Sequence, residues 1–504
     1  MAGIYSGTWP LTWKLVREHE GRHGRGAPRH GERHHVDGRS TFLMSAMLEL
    51  HDIQGNILRE YGSLHQARFI FFRIRSAVQG RRYIEALLPT ITTAKSGDEI
   101  RAATNIAFTF AGLRAFGLPT SSLVSFPTAF QDGMRARALL LGDIEESDPR
   151  RWDRPWRSEA LHFMVMVYAA SRMELEQTCR KVVQLAPDEI EELRPHQEAE
   201  AIFANGSRSL RIEHFGFAEG LSNPHIDLLA DDTRQFLASN VDGRDHRMVA
   251  LGEFILGYPD EGSEIGAMPV PHAFSRNGTY LVVRKLHQHV ARFRHFIEQQ
   301  ATLLQRIIPG TDPTYLAAKM IGRWPDGTPL AKVTSSAITG GISNEFGYAD
   351  DPEGALCPLG AHIRRANPRD SFGFDERLVN RHRLIRRGIT YGAPLPVGSP
   401  DDHMPRGLLF LVFNADIERQ FEFVQRQWIN DGDKFRQGND RDPILGSHHD
   451  GLGRMVIPGD EREGRPPFFC TGIPRFVTAK GGDYFFAPSL TGLRLMASGG
   501  VRTT

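Results

Sequence analysis

The sequence predicts an α+β fold made of two successive β-α-β-β-α-β units, each an antiparallel sheet with helices on one face. Three observations predict it. Short apolar runs of strand character alternate with amphipathic stretches of helical period. Their order repeats once along the chain. The length, 504 residues, exceeds what one hydrophobic core usually serves, which favours two domains or a doubled unit.

In the first unit RFIFFRI (68–74) reads as a strand and 81–93 as the helix after it. TNIAFTF (104–110) and LHFMVMVYA (161–169) are the next two strands. MELEQTCRKVVQLA sets Leu175, Cys179, Val182 and Val183 on one helical face, and a closing strand is expected near 199–203. The second unit opens with TYLVVRKL (279–286) as a strand and HVARFRHFIEQQATLLQRII as a long helix. HRLIRRG (382–388) and RGLLFLVFNA (406–415) follow as strands, IERQFEFVQRQWIN as a helix, and GDYFFAPS (482–489) closes the set. This is the split-βαβ, ferredoxin-like pattern twice over. Gly- and Pro-rich stretches at 257–278, 309–330 and 392–405 read as long surface loops. The expected organisation is a disordered tail (1–43), an N-terminal module (44–230) and a C-terminal module (231–504).

Composition excludes several classes. The chain is 40% hydrophobic and 24% charged, with a net charge of +1, so no bulk charge argues for nucleic acid or an anionic membrane. Cys179, Cys357 and Cys470 form no CxxC pair, which fits reduced thiols in a cytoplasmic protein rather than a disulfide framework or zinc ribbon. No apolar run approaches the roughly 20 residues of a membrane span. The first 43 residues are rich in Arg, Gly and His, and no apolar h-region follows the charges as a secretory or twin-arginine signal requires. Their His23, His30, His34 and His35 are expected to be solvated. Met44 and Met47 stand just before the first patterned segment, where an over-extended start would place them.

Three segments could carry chemistry. In CPLGAHIRRANPRDS (357–371), His362 has small neighbours, Gly360 and Ala361, that leave room for a flat group at the imidazole. Arg364, Arg365 and Arg369 follow, and guanidinium groups bind carboxylates bidentately. Read alone, the segment fits a surface histidine in a basic loop better than a ligand. In EHFGFAEGLSNPHID (213–227), Glu219 sits in a Gly-rich turn after Phe215 and Phe217, as a desolvated acid/base or as a solvated loop glutamate. In HRLIRRGITYG (382–392), Arg386 and Arg387 fall on a strand, so one should face inward and the other outward.

Taken together, CPLGAHIRRANPR, GFAEGLSNP, LIRRGITYG and FNADIERQFEFVQRQWIN resemble the signature segments of dye-decolourising peroxidases. So do HDIQGNILREYG (51–62), TFAGLRAFGLP (109–119), FPTAFQDGMRARALLLGD (126–143) and GDYFFAPSLTGLRLMAS (482–498), all in the family's order, and the length suits its larger, cytoplasmic-type members. The resemblance implies two ferredoxin-like modules of the dimeric α+β barrel type holding one haem b per chain, mainly in the second. It implies His362 as the iron ligand, Arg386 as the distal arginine, and Glu219 in the place of the distal acid. It also implies Arg365 and Asn367 beside the haem, Asp442 as the carboxylate orienting His362, and Leu409 and Leu411 as pocket walls. The implied partners are hydrogen peroxide and a bulky aromatic or dye-like reductant, with no nucleic acid, no membrane span, and scope for a homo-oligomer.

The departure is Glu219, where the family usually carries Asp. The extra methylene moves the carboxylate by about 1.5 Å, and proton transfer depends on placement. That leaves open a haem-binding protein for transport or sensing with weak peroxidase activity; a haem-free scaffold in which His362 is structural is a further reading. A non-haem metal site is disfavoured, since no His/Asp/Glu cluster around His362 has ligand spacing. Trp324, Trp428, Tyr391 and Tyr484 are the candidate electron relays to the surface, each equally readable as a packing aromatic.

Overall fold

The computed structural model describes residues 48–227 except 98, 206 and 208, then 248–332, 342–372, 376–449, 451–460 and 464–501. The tail with its histidines, Met44, Met47 and the boundary expected at 230/231 lie outside the described residues.

The first unit runs β1 (Gln66–Ile74), α1 (Ala77–Leu87), β2 (Ala102–Phe108), β3 (Phe163–Ala169), α2 (Arg172–Gln184) and β4 (Ile190–Glu200). β3 is buried along its whole length, as its unbroken apolar run requires. α2 starts at a capping box: the Glu174 N–H donates to Ser171 Oγ, and Ser171 Oγ donates to the Glu174 carboxylate. Leu175, Cys179 and Val182 are its buried face. Two boundaries differ from expectation. α1 begins four residues early because Ser76 caps it, and it gives way to a 3-10 turn (Leu88–Thr90) where Pro89 cannot continue it. β4 is longer than expected and carries Pro195, which an edge strand tolerates.

The second unit runs β5 (Thr279–Gln288), α3 (Val290–Leu304), β6 (Ile385–Arg386), β7 (Ile389–Tyr391), β8 (Gly407–Asn414), a helical stretch over 418–429, and β9 (Val477–Ala487). The stretch over 418–429 is helical as expected, but its two segments have π rather than α hydrogen bonding.

These strands form one antiparallel sheet in the order β6-β8-β5-β9-β2-β3-β1-β4, with β7 beside β6 on the edge of β8. The four-stranded first half and the five-stranded second half meet at a single rung, Phe486 opposite Phe108. At the far edges Thr390 Oγ1 donates to the Glu200 carbonyl, so the sheet curls until its first and last strands approach. The N-terminal helices and strands share one large core with β8 and β9, while α3 and the loops around residues 316–361 build a second.

Candidate active site

One face of β6–β8–β5 floors a cavity of about 390 Å3. Ile385 pairs with Phe413, Arg386 with Val412 and Ile389 with Leu409, a single unbroken register. Arg386 and Gly388 therefore share a face with Leu408 and Phe410, and through Phe410 with Arg284 on β5. Arg386, Gly388, Leu408, Phe410 and Arg284 all line the cavity. Arg387 also lines the cavity, donating to the carbonyls of Asn56 and Ile57 and pairing with Glu60 at 3.3 Å. Both arginines line the cavity, so the expected division into one inward and one outward residue is not found.

That register corrects one expectation. Leu409 and Leu411 were expected to wall the pocket, but they are 1% and 0% exposed and belong to the large core on the opposite face. Leu408 and Phe410 wall it instead. An apolar strand buried on both faces carries no alternation from which to choose the side.

His362 opens a short helix, α4 (His362–Ala366). Asn367 ends it in an extended conformation, as a residue before proline should. His362 Nδ1 lies 2.9 Å from Asp442 Oδ2, while Asp442 Oδ1 accepts the N–H groups of Ile444 and Leu445. Burial alone would raise the Asp442 carboxyl, yet the His362 imidazole, Arg365 and the Leu445 N–H hold it below the usual range. An ionised Asp442 makes Nδ1 the protonated nitrogen and leaves Nε2 with its lone pair. The His362 side chain is 29% exposed, and it lines the cavity; Nε2 has no hydrogen-bond partner among the described residues.

The arginines after His362 divide. Arg365 was expected beside the cofactor, but it is fully buried and donates to the carbonyls of Trp428, Asp440 and Asp431. It braces the loop that carries Asp442. Arg364 likewise bonds Asp351 and the Cys357 carbonyl. Asn367 and Arg369 do line the cavity, and Asn367 Oδ1 is buried with no partner among the described residues.

Glu219 stands on a tight hairpin. Ile212 bridges Ala218, Glu213 N–H donates to Phe217 O, and Glu219 N–H donates to Arg211 O. Gly216 and Gly220 bracket the turn at φ of 100° and 79°, values that side chains resist. The pairing puts Arg211, Glu213, Phe217 and Glu219 on one face, toward the cavity. Glu219 Oε1 lies 3.7 Å from where a Cβ on residue 388 would stand, which places the carboxylate against the strand two residues from Arg386. Burial and the Glu213 charge push the Glu219 carboxyl up to about 8, against the pull of Arg211 and Arg386.

Sequence reasoning missed Glu213, the first residue of its own segment. Its carboxylate accepts the N–H groups of Phe215 and Phe217 and is bonded by Gln288. Arg323 was also missed; it lines the cavity and bonds Ser222 and Asn344. No local signal marks either residue, because each arrives through the long loops. The four aromatics considered as relays are all interior, at 5% exposure or less, and only Trp324 lines the cavity.

Two family models match the chain: the DyP dimeric alpha+beta barrel domain over residues 52–199, and the Dyp-type peroxidase, C-terminal, over residues 270–439. The chain belongs to the dye-decolourising peroxidase family. It is a peroxidase, an oxidoreductase of the α+β class expected from its sequence. Among its relatives is the dye-decolorizing peroxidase msp1 of Mycetinis scorodonius, 27% identical over 90% of this chain and 88% of the relative. The multifunctional dye peroxidase DyP2 of an Amycolatopsis species is 27% identical over 88% of this chain and 95% of the relative. The crystal structure of a DyP-type peroxidase from an Anabaena species superposes with a TM-score of 0.73 at 26% identity, covering 89% of this chain and 94% of that one. Among the described residues no helix is long and apolar enough to cross a membrane.

Proposed function

We propose that this peroxidase binds one haem b per chain in this cavity, held mainly by its C-terminal module (231–504), with His362 Nε2 as the iron ligand. The single observation that carries the reading is the His362–Asp442 pair at 2.9 Å, whose free Nε2 lines the same cavity as Arg386 and Glu219. The wall fits a large, flat, partly anionic group. It is mostly apolar, and its buried polar atoms without partners among the described residues include Asn367 Oδ1 and Arg284 Nη1.

Haem held there by His362 would supply the redox chemistry with hydrogen peroxide that a peroxidase needs. The protein's own groups do the rest. Asp442 fixes the ring of His362 and makes it a more basic ligand. Glu219, when ionised, takes the proton from the inner peroxide oxygen and returns it to the outer one as the O–O bond breaks. Arg386 offsets the negative charge that develops there. The donor is an aromatic or dye-like reductant oxidised in two one-electron steps. The three cysteines are buried and unpaired, which supports the cytoplasmic location expected from the sequence.

Purified with haem supplied, the protein should hold cofactor and chain near 1:1 and turn over a phenolic donor only with peroxide. Asp442→Asn should weaken haem retention or peroxide turnover by about 10- to 100-fold, the usual cost of losing a carboxylate behind a histidine ligand, measured by haem transfer to an acceptor protein and by steady-state rates.

A further inference from the structure

Two of the cavity's described lining residues stand at its solvent-exposed margin. Among its described lining residues, Glu60 and Gly220 are the exposed ones, and both lie on the side of Arg386 and Glu219. Glu60 does not hang free there. Its Oε1 accepts from Asn223 Nδ2 at 2.6 Å and from Arg387 Nη1 at 3.3 Å. Asn223 in turn clamps the backbone of Arg386, accepting its N–H at 2.9 Å and donating to its carbonyl at 3.3 Å. A charged side chain from the first segment of the fold, at the exposed margin of the cavity, is thereby tied to the strand that carries Arg386.

We propose that Glu60 is a specificity-determining residue, whose latch to Asn223 and Arg387 limits the size of hydroperoxide that enters the cavity. The inference rests on the haem reading above. The Glu60 side chain is 45% exposed, so the latch is an ion pair in water and opens readily; its hold is steric and kinetic rather than a large stability term. Hydrogen peroxide passes such an opening with little hindrance, while a branched alkyl hydroperoxide meets the carboxylate. With tert-butyl hydroperoxide the O–O bond breaks, two donor molecules each lose one hydrogen atom, and tert-butanol and water leave.

The test compares the native holoprotein with Glu60→Ala and Glu60→Gln. Glutamine keeps the volume and the acceptor for Asn223; alanine removes both. In Glu60→Ala the ratio of kcat/KM for tert-butyl hydroperoxide to that for hydrogen peroxide should rise about 10-fold, the scale on which pocket sterics discriminate. In Glu60→Gln it should stay within about 2-fold of native on the same scale. A readout independent of turnover is the uptake of imidazole by the resting protein, followed by its Soret shift. In Glu60→Ala the on- and off-rates should rise together by about 10-fold and leave Kd nearly unchanged, as removal of a gate requires. Native ratios and native imidazole rates in Glu60→Ala overturn the gate and leave the haem reading standing. A changed Kd with an unchanged on-rate also overturns it, because Glu60 would then shape the site rather than its mouth. A native protein with no Soret response to imidazole overturns the haem reading and this inference with it.

Discussion

Arg386→Ala is expected to lower kcat/KM for hydrogen peroxide by about 10²- to 10³-fold while leaving haem binding largely intact, the usual loss when one preorganised donor to a developing charge is removed. The geometry makes Arg386 hard to replace. Its backbone is held on both sides by Asn223, and one guanidinium nitrogen is tied to the Leu221 carbonyl, so the remaining donors are fixed before peroxide arrives. Arg387 cannot stand in, because its donors already serve the Asn56 and Ile57 carbonyls and Glu60. Stopped-flow mixing with peroxide, with the Soret band as the control for cofactor content, checks both halves of the expectation. Arg386→Lys should recover only part of the loss, since a point charge lacks the guanidinium fork.

Glu219→Gln is expected to cost about 10²- to 10⁴-fold in the same step, the span of a lost general base. Its pH dependence is more diagnostic. The carboxyl is pushed up to about 8 by burial and by the neighbouring Glu213 charge, so it is mostly protonated at neutral pH. Accepting a proton requires the ionised form. The rate constant for peroxide should therefore rise about tenfold per pH unit below that value and level off above it. Glu219→Gln should abolish the rise. Glu213→Gln should move its midpoint down, because the charge that raises Glu219 is gone. Glu219→Asp shortens the reach past Gly388; a faster step there would mean that the extra methylene slows the native protein. A native profile flat between pH 5 and 9 would remove Glu219 from the proton path.

The fold was legible in the sequence wherever burial and periodicity agreed. The apolar runs that became β1, β3, β5 and β8 could be nothing but buried strands, and the Leu175–Cys179–Val182 stripe marked α2. Legibility failed where a structural role replaced burial. The edge strand β4 reads as polar because one side of it meets solvent, and the face of β8 toward the cavity could not be chosen because both faces are covered. At the site, His362, Asp442, Asn367, Glu219 and Arg386 were named in advance from motif resemblance, and all but Asp442 line the cavity, with Asp442 behind His362. Arg365 was named for the wrong reason. A guanidinium near a haem-type motif suggests a carboxylate partner, but the loop carrying Asp442 exposes three inward carbonyls that need donors, and Arg365 supplies them. Glu213 and Arg323 went unnamed because their part in the cavity depends on loops whose paths no local pattern encodes.

The central claim is that His362 ligates a haem in this cavity. The measurement that tests it most directly is the ultraviolet–visible spectrum of the protein purified with haem supplied, before and after peroxide, set beside that of His362→Ala with its fold checked by circular dichroism. The account predicts a Soret band in the native protein that peroxide alters within the mixing time, and loss of that band or of its response in His362→Ala. A folded native protein with no Soret band, or a His362→Ala protein with the native band and response, would contradict it.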